Sequence, residues 1–116
     1  MPFADTTIVR RFAADRMQKL NVFETPQMFC DIYCLEPGQS QKPHTHSDAT
    51  KFYYVVEGQA TLCVGEQRAT LGPGGLGWAA AGELHGVENL STERVVLLVA
   101  MAPNPNVRTG QETTHR

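Results

Sequence analysis

Val, Leu, Phe and Tyr gather in short runs along the chain, and glycine or proline stands between most of them. Ten glycines and seven prolines supply this punctuation. The runs predict short strands at TIVRRF, KLNVF, MFCDIYCL, KFYYVVEG, QATLCVG, QRATL, LGWAAA, HGVEN and RVVLLVAM. Strands of that length with turn signals between them predict an all-β sandwich or barrel. Turns are expected at EPG (Glu36–Gly38) and GPGG (Gly72–Gly75). One segment reads two ways: Ala13, Met17 and Leu20 share a face at helical spacing, so residues 13–20 fit a short helix as well as a strand. The last predicted strand, Val95–Met101, is apolar on both faces. A strand like that is covered on both sides, by a second sheet or by a partner subunit, and a homodimer is expected. The organisation that follows has three parts: residues 1–29 as N-terminal strands or a short helix completing the barrel or the dimer, residues 30–102 as the barrel, and residues 103–116 as a polar tail.

Composition narrows the class. A chain of 116 residues suits one domain with one modest core. Hydrophobic residues at 41%, charged residues at 19% and a net charge of −2 are ordinary for a globular protein. No basic run tracks a phosphate backbone, so no nucleic-acid partner is expected. The longest apolar run, Val95–Ala102, is too short to span a bilayer, and no membrane partner is expected either. The N-terminus lacks the apolar core of a signal peptide. Three cysteines, Cys30, Cys34 and Cys63, are odd in number and lack CxxC spacing, which argues against a disulfide framework and for a reducing, cytoplasmic setting.

Candidate chemistry lies in the histidines. His44 and His46 stand one residue apart in KPHTH, near an expected strand start, where alternation turns both imidazoles to one face. Imidazole suits Zn, Fe, Cu and Ni, and two histidines supply half of a typical coordination sphere. His85 is the well-placed third, since His115 lies in the tail. The spacings around these residues resemble the cupin superfamily, whose first motif runs G-x5-H-x-H-x3,4-E-x6-G. Gly38, His44, His46 and Gly58 match it. The second motif, G-x5-P-x-G-x2-H-x3-N, is matched by Gly74, Gly82, His85 and Asn89, with Ala80 at the proline position. The resemblance spans about Cys30 to Met101 and implies a double-stranded β-helix, the cupin jelly-roll barrel. It also implies a divalent transition metal (Fe, Zn, Ni, Mn or Cu) held inside the barrel by His44, His46 and His85, with a small-molecule ligand beside it. Gly38 and Gly58 would allow tight turns, and Gly82 a bend before His85.

The sequence departs from the family pattern at Lys51, which stands where the motif has glutamate. Three readings follow. Lys51 turns away and three histidines plus water hold the metal; or it points inward as a base or as the partner of an anionic substrate; or metal binding is lost and the barrel is a plain pocket. Alternation places Lys51, Tyr53, Val55 and Glu57 on one face, which the family register makes the interior. Weaker candidates are Asp48 as a stand-in carboxylate, Glu83 as an orienting partner of an imidazole, Tyr33, Tyr53 and Trp78 as pocket lining, Cys63 as an inward thiol, and Asn89 as a site or turn residue. The function expected is a metal-dependent small-molecule enzyme, dioxygenase-like or else an isomerase or lyase, with Lys51 as the candidate catalytic residue. The alternative is a non-catalytic cupin that binds or senses a metal or ligand.

Overall fold

A computed structural model describes residues 2–107. They form nine strands and no α-helix: β1 (Gln18–Glu24), β2 (Phe29–Leu35), β3 (Ser40–His44), β4 (Thr50–Glu57), β5 (Ala60–Val64), β6 (Gln67–Leu71), β7 (Leu76–Ala79), β8 (His85–Glu88) and β9 (Val95–Ala102). A short 3-10 turn, Pro105–Val107, follows. One sheet has the order β1-β2-β9-β4-β7 and the other β3-β8-β5-β6, with every pairing antiparallel. Two antiparallel sheets face to face make the expected jelly-roll architecture.

Alternation sorts the residues of the larger sheet. Tyr33, Leu35, Tyr53, Val55, Val95, Leu97 and Val99 turn inward and pack on Ala60, Leu62 and Val87 of the other sheet. Ile32, Cys34 and Val96 turn outward, yet they are buried, because Val9 and Phe12 of the N-terminal segment lie over them. The apolar outer side of β9 is therefore covered at this point by the chain's own N-terminus. Further along the same outer side, Tyr54, Leu76 and Trp78 remain exposed.

Three local expectations are corrected. TIVRRF is not a strand. Asp5 accepts from the backbone and the hydroxyl of Thr7, and its carbonyl accepts from Ile8 and Val9, so a side-chain-capped turn displaces extended structure there. Residues 13–20 are not a helix: β1 begins at Gln18 and pairs with β2, and this tertiary pairing outweighs a weak helical periodicity. Glu57 does not share the inward face of Lys51. The register shifts between Val55 and Glu57, and the carboxylate turns out to meet Arg10 at 2.6 Å.

The sequence pattern also passes over β3, which carries Pro43. The strand tolerates it because β3 lies at the edge of its sheet and is irregular between Gln41 and His44. Opposite Pro43 stands Gly86. A Cβ there would lie 2.8 Å from the Gln41 carbonyl and 3.0 Å from the Pro43 nitrogen. Glycine at 86 is what lets β3 come this close to β8, and the closeness of these strands sets the site.

Candidate metal centre

His44 closes β3 and His85 opens β8, and the two are register partners. His46 lies just beyond β3, in the connection to β4, so the pair sits at a strand end and not at a strand start. The backbone of Gly82 donates to the His46 carbonyl at 2.8 Å, which ties that connection to the turn before His85. Gly82 has φ +84, a conformation that glycine adopts without strain. Gly38 and Gly58 are left-handed too, in keeping with the turns expected of them.

The three rings converge. Centroids lie 5.0 Å apart for His44–His46, 4.4 Å for His44–His85 and 5.5 Å for His46–His85. Their potential ligand atoms all fall within 4.8 Å of one another. The Nδ1 of His44 meets the Lys42 carbonyl at 2.9 Å, and the Nδ1 of His85 meets the Glu83 carbonyl at 2.9 Å. A carbonyl only accepts, so each Nδ1 carries the proton and each Nε2 keeps its lone pair. The Nε2 atoms of His44, His46 and His85 are all buried and make no hydrogen bond among the described residues. Buried Nε2 atoms that keep their lone pairs, as those of His44 and His85 do, fit a cation. Burial also holds His85 down to about 4, an effect reinforced by the charges of Lys51 and His44 and opposed by the Glu83 carbonyl bond, so the ring is neutral at pH 7.

Lys51 points inward and is 1% exposed. Its Nζ donates to Gln41 Oε1 at 3.4 Å and lies 5.4 Å from the centre of the Tyr33 ring and 5.2 Å from that of Tyr53. Gln41 Oε1 also accepts from Tyr53 OH at 2.8 Å, and Gln41 Nε2 donates to Tyr33 OH at 3.3 Å. Burial pushes the Lys51 amine down to about 7; the Lys19 charge adds to this and Asp31 opposes it. Burial likewise raises the Tyr53 phenol well above its usual range, so it remains a donor. Tyr53 and His85 rings lie 6.2 Å apart, which puts this polar cluster next to the histidines.

The weaker candidates separate. Tyr33 and Tyr53 line the interior, and Trp78, 62% exposed, lines an open cleft of about 560 Å³ between β6 and β7. Asp48 is exposed in the turn before β4 and is outside the three-histidine group. Glu83 is exposed; its carboxylate caps Ala80, and only its carbonyl reaches His85. Cys63 alternates with the core residue Leu62 and pairs with Arg68, so its thiol faces away from the core. Asn89 closes a turn, donating to the Leu35 and Glu93 carbonyls and accepting from Ser91. His115 lies outside the described residues. Sequence reasoning missed Gln41 and Asp31, both buried polar residues of the interior. Asp31 carried a signal, as the lone charge in the otherwise apolar run FCDIYCL.

Comparison with known proteins agrees with this geometry. The cupin domain family matches residues 31–101, more than half of the chain. The chain is 42% identical to the TT1209 protein of Thermus thermophilus, whose crystal structure superposes with a TM-score of 0.88 over 90% of this chain and all of that one. A double-stranded β-helix protein of Klebsiella pneumoniae superposes with a TM-score of 0.82 at 22% identity, over 88% of this chain and 84% of that one. An uncharacterised protein of Streptomyces coelicolor is 30% identical over 78% of this chain and 86% of its own. The chain belongs to the cupin family, and within that fold it carries three histidines close enough together to hold a metal ion.

Proposed function

We propose that this cupin binds a divalent transition metal through the Nε2 atoms of His44, His46 and His85 and is a metal-dependent enzyme acting on a small molecule. The observation that carries the reading is the convergence of three imidazoles whose potential ligand atoms all lie within 4.8 Å of one another. A metal bound there would act as a Lewis acid or a redox centre with coordination positions left for water and substrate. The chain's own contribution is positional. The Lys42 and Glu83 carbonyls set the tautomers and orientation of His44 and His85. Lys51, with an amine poised near neutrality beside the histidines, is the candidate acid or base, able to take or return a proton at Nζ. Tyr33 and Tyr53 shield that amine from solvent.

Metal content decides the matter. Untagged wild type, reconstituted in turn with Fe, Zn, Ni, Mn and Cu and then desalted, is expected to retain close to one ion per chain, and His44→Ala far less. Equal retention by the two proteins for every metal would sink the reading. We further propose a homodimer formed through the exposed outer side of β4 and β7, where Tyr54, Leu76 and Trp78 stand together. Light scattering on wild type and Trp78→Glu checks it, with a monomeric variant expected. Two species of the same mass would count against this surface.

A further inference from the structure

The charge of Lys51 is poorly provided for. A protonated lysine carries three N–H donors. Among the described residues its Nζ finds one hydrogen-bond acceptor, Gln41 Oε1, at the long distance of 3.4 Å. That oxygen is shared with Tyr53, which holds it more closely at 2.8 Å. The faces of Tyr33 and Tyr53 lie beside it, and no carboxylate among the described residues is paired with the amine. The neighbourhood is also short of negative charge. The three histidines bring none, Lys19 acts on the same amine, and Asp31, bonded to Asn21 at 3.0 Å, is the single buried carboxylate among the described residues. An interior cation with one shared acceptor is costly, and leucine or methionine at 51 would remove that cost.

We propose that Lys51 is a binding residue for a small carboxylate, seated between its amine and the three histidines, whose oxygens accept the N–H donors that the described residues leave unused. The inference rests on the reading of this end of the barrel as the functional site and names the class of its substrate. A carboxylate suits better than a neutral carbonyl compound, because one negative charge balances the ammonium and would balance in part a cation on the histidines. The barrel then selects among small organic molecules by charge: an anionic one is drawn in by Lys51, and a cationic one, with no imidazole lone pair to gain as a metal ion has, is repelled by it.

Sodium pyruvate serves as the probe, titrated calorimetrically into metal-free and zinc-loaded protein at constant ionic strength, with sodium chloride as the control. Wild type is expected to bind pyruvate, and Lys51→Met to bind it at least tenfold more weakly. Gln41→Glu is the second variant. It keeps Lys51 but gives it a carboxylate of its own, and pyruvate binding is again expected to fall at least tenfold. Circular dichroism reports that each variant is folded, and zinc stoichiometry is measured on the same samples. Pyruvate binding that needs Lys51 supports the inference whether or not zinc is taken up; absent zinc uptake would sink the metal reading alone. Equal pyruvate affinity in all three proteins, or none in wild type with or without zinc, overturns the inference even when zinc binds in full.

Discussion

The barrel interior has two ends built from the same strands. At one end, Leu35, Val55, Ala60, Leu62, Val87, Val95 and Leu97 close against one another with nothing polar among them. At the other, His46, Lys51, Gln41, Asp31 and His85 are as deeply buried, each at 8% exposure or less. Strand β4 serves both, carrying Lys51 and Tyr53 toward one and Val55 toward the other. Burial is thus equal while chemistry is opposite, and the two ends should respond to substitution with opposite sign. The apolar end supplies the free energy that holds the sheets together. The polar end draws on it, keeping a cation and three imidazoles out of water.

The largest effect is expected at the apolar end. Leu97→Ala removes a fully buried side chain from the middle of the cluster and should destabilise the protein by about 2–5 kcal/mol. Urea denaturation measures this, with the slope against denaturant unchanged. A loss well below that range would mean that the two sheets are held by something other than this cluster.

Next, and opposite in sign, is Lys51→Met. Exchanging a buried, under-partnered amine for an apolar chain of similar length should stabilise the metal-free protein at pH 6 by about 1–4 kcal/mol. The gain depends on pH. Folding lowers the amine from 10.5 to about 7, so between these values the unfolded chain binds more protons than the folded one. Wild-type stability therefore rises with pH across that window through this group. Below about 7 the penalty is present in full, and above 10.5 it is gone. The groups facing Lys51 are Gln41 of β3, Tyr33 and Asp31 of β2, Lys19 of β1, Tyr53 of its own strand and His85 of β8. Of these, Lys19 lowers the amine and Asp31 raises it. The advantage of the methionine variant should shrink steadily from pH 7 to pH 10. A constant gap would place the amine in water.

How much of this difference is legible in the sequence depends on the residue. The histidine spacings and the glycines around them stand out because their roles are local: His44 and His46 need only each other's spacing, and Gly82 only its own φ. Lys51 is visible as an exception to a pattern, and its inward direction follows from alternation along β4. Gln41 is not visible. Its partners Lys51, Tyr53 and Tyr33 are 10, 12 and 8 residues away, and β3 is masked by Pro43. The direction of Cys63 is hidden for another reason: alternation says which residues share a face but not which face is inside. The N-terminal segment is misread because Asp5 and Thr7 build a turn that competes locally with an extended run.

Gly86 joins the two ends and gives a smaller effect with two readouts. A methyl group at 86 would press on the backbone of Gln41 and Pro43, neither of which is a flexible side-chain end. Gly86→Ala should cost about 1 kcal/mol in stability. Because the shift falls on β3 between Gln41 and His44, it should also move His44 away from His85. Zinc affinity is expected to drop about tenfold, more than the stability loss would suggest. A stability loss with zinc affinity intact would separate the strand contact from the site.

The smallest effect tests the direction of a side chain. Cys63 lies on β5 next to Leu62, and Val64 on the same strand is the register partner of His85. By position along the strand, Cys63 is close to the candidate metal centre. By alternation it belongs to the other face, with Arg68 and Gly86 as its neighbours in register. Among the described residues its Sγ makes one hydrogen bond, a long one to the Gly65 carbonyl at 4.0 Å. Cys63→Ser should therefore change stability by no more than about 0.5 kcal/mol. It should leave zinc stoichiometry and affinity as they are, because no ligand is lost. A thiol aimed inward would behave differently: its loss would weaken zinc binding, and cobalt loaded in place of zinc would lose a sulfur-to-metal absorption band. An unchanged cobalt spectrum would confine the metal-facing chemistry to the face of the strands that carries His85 and Lys51.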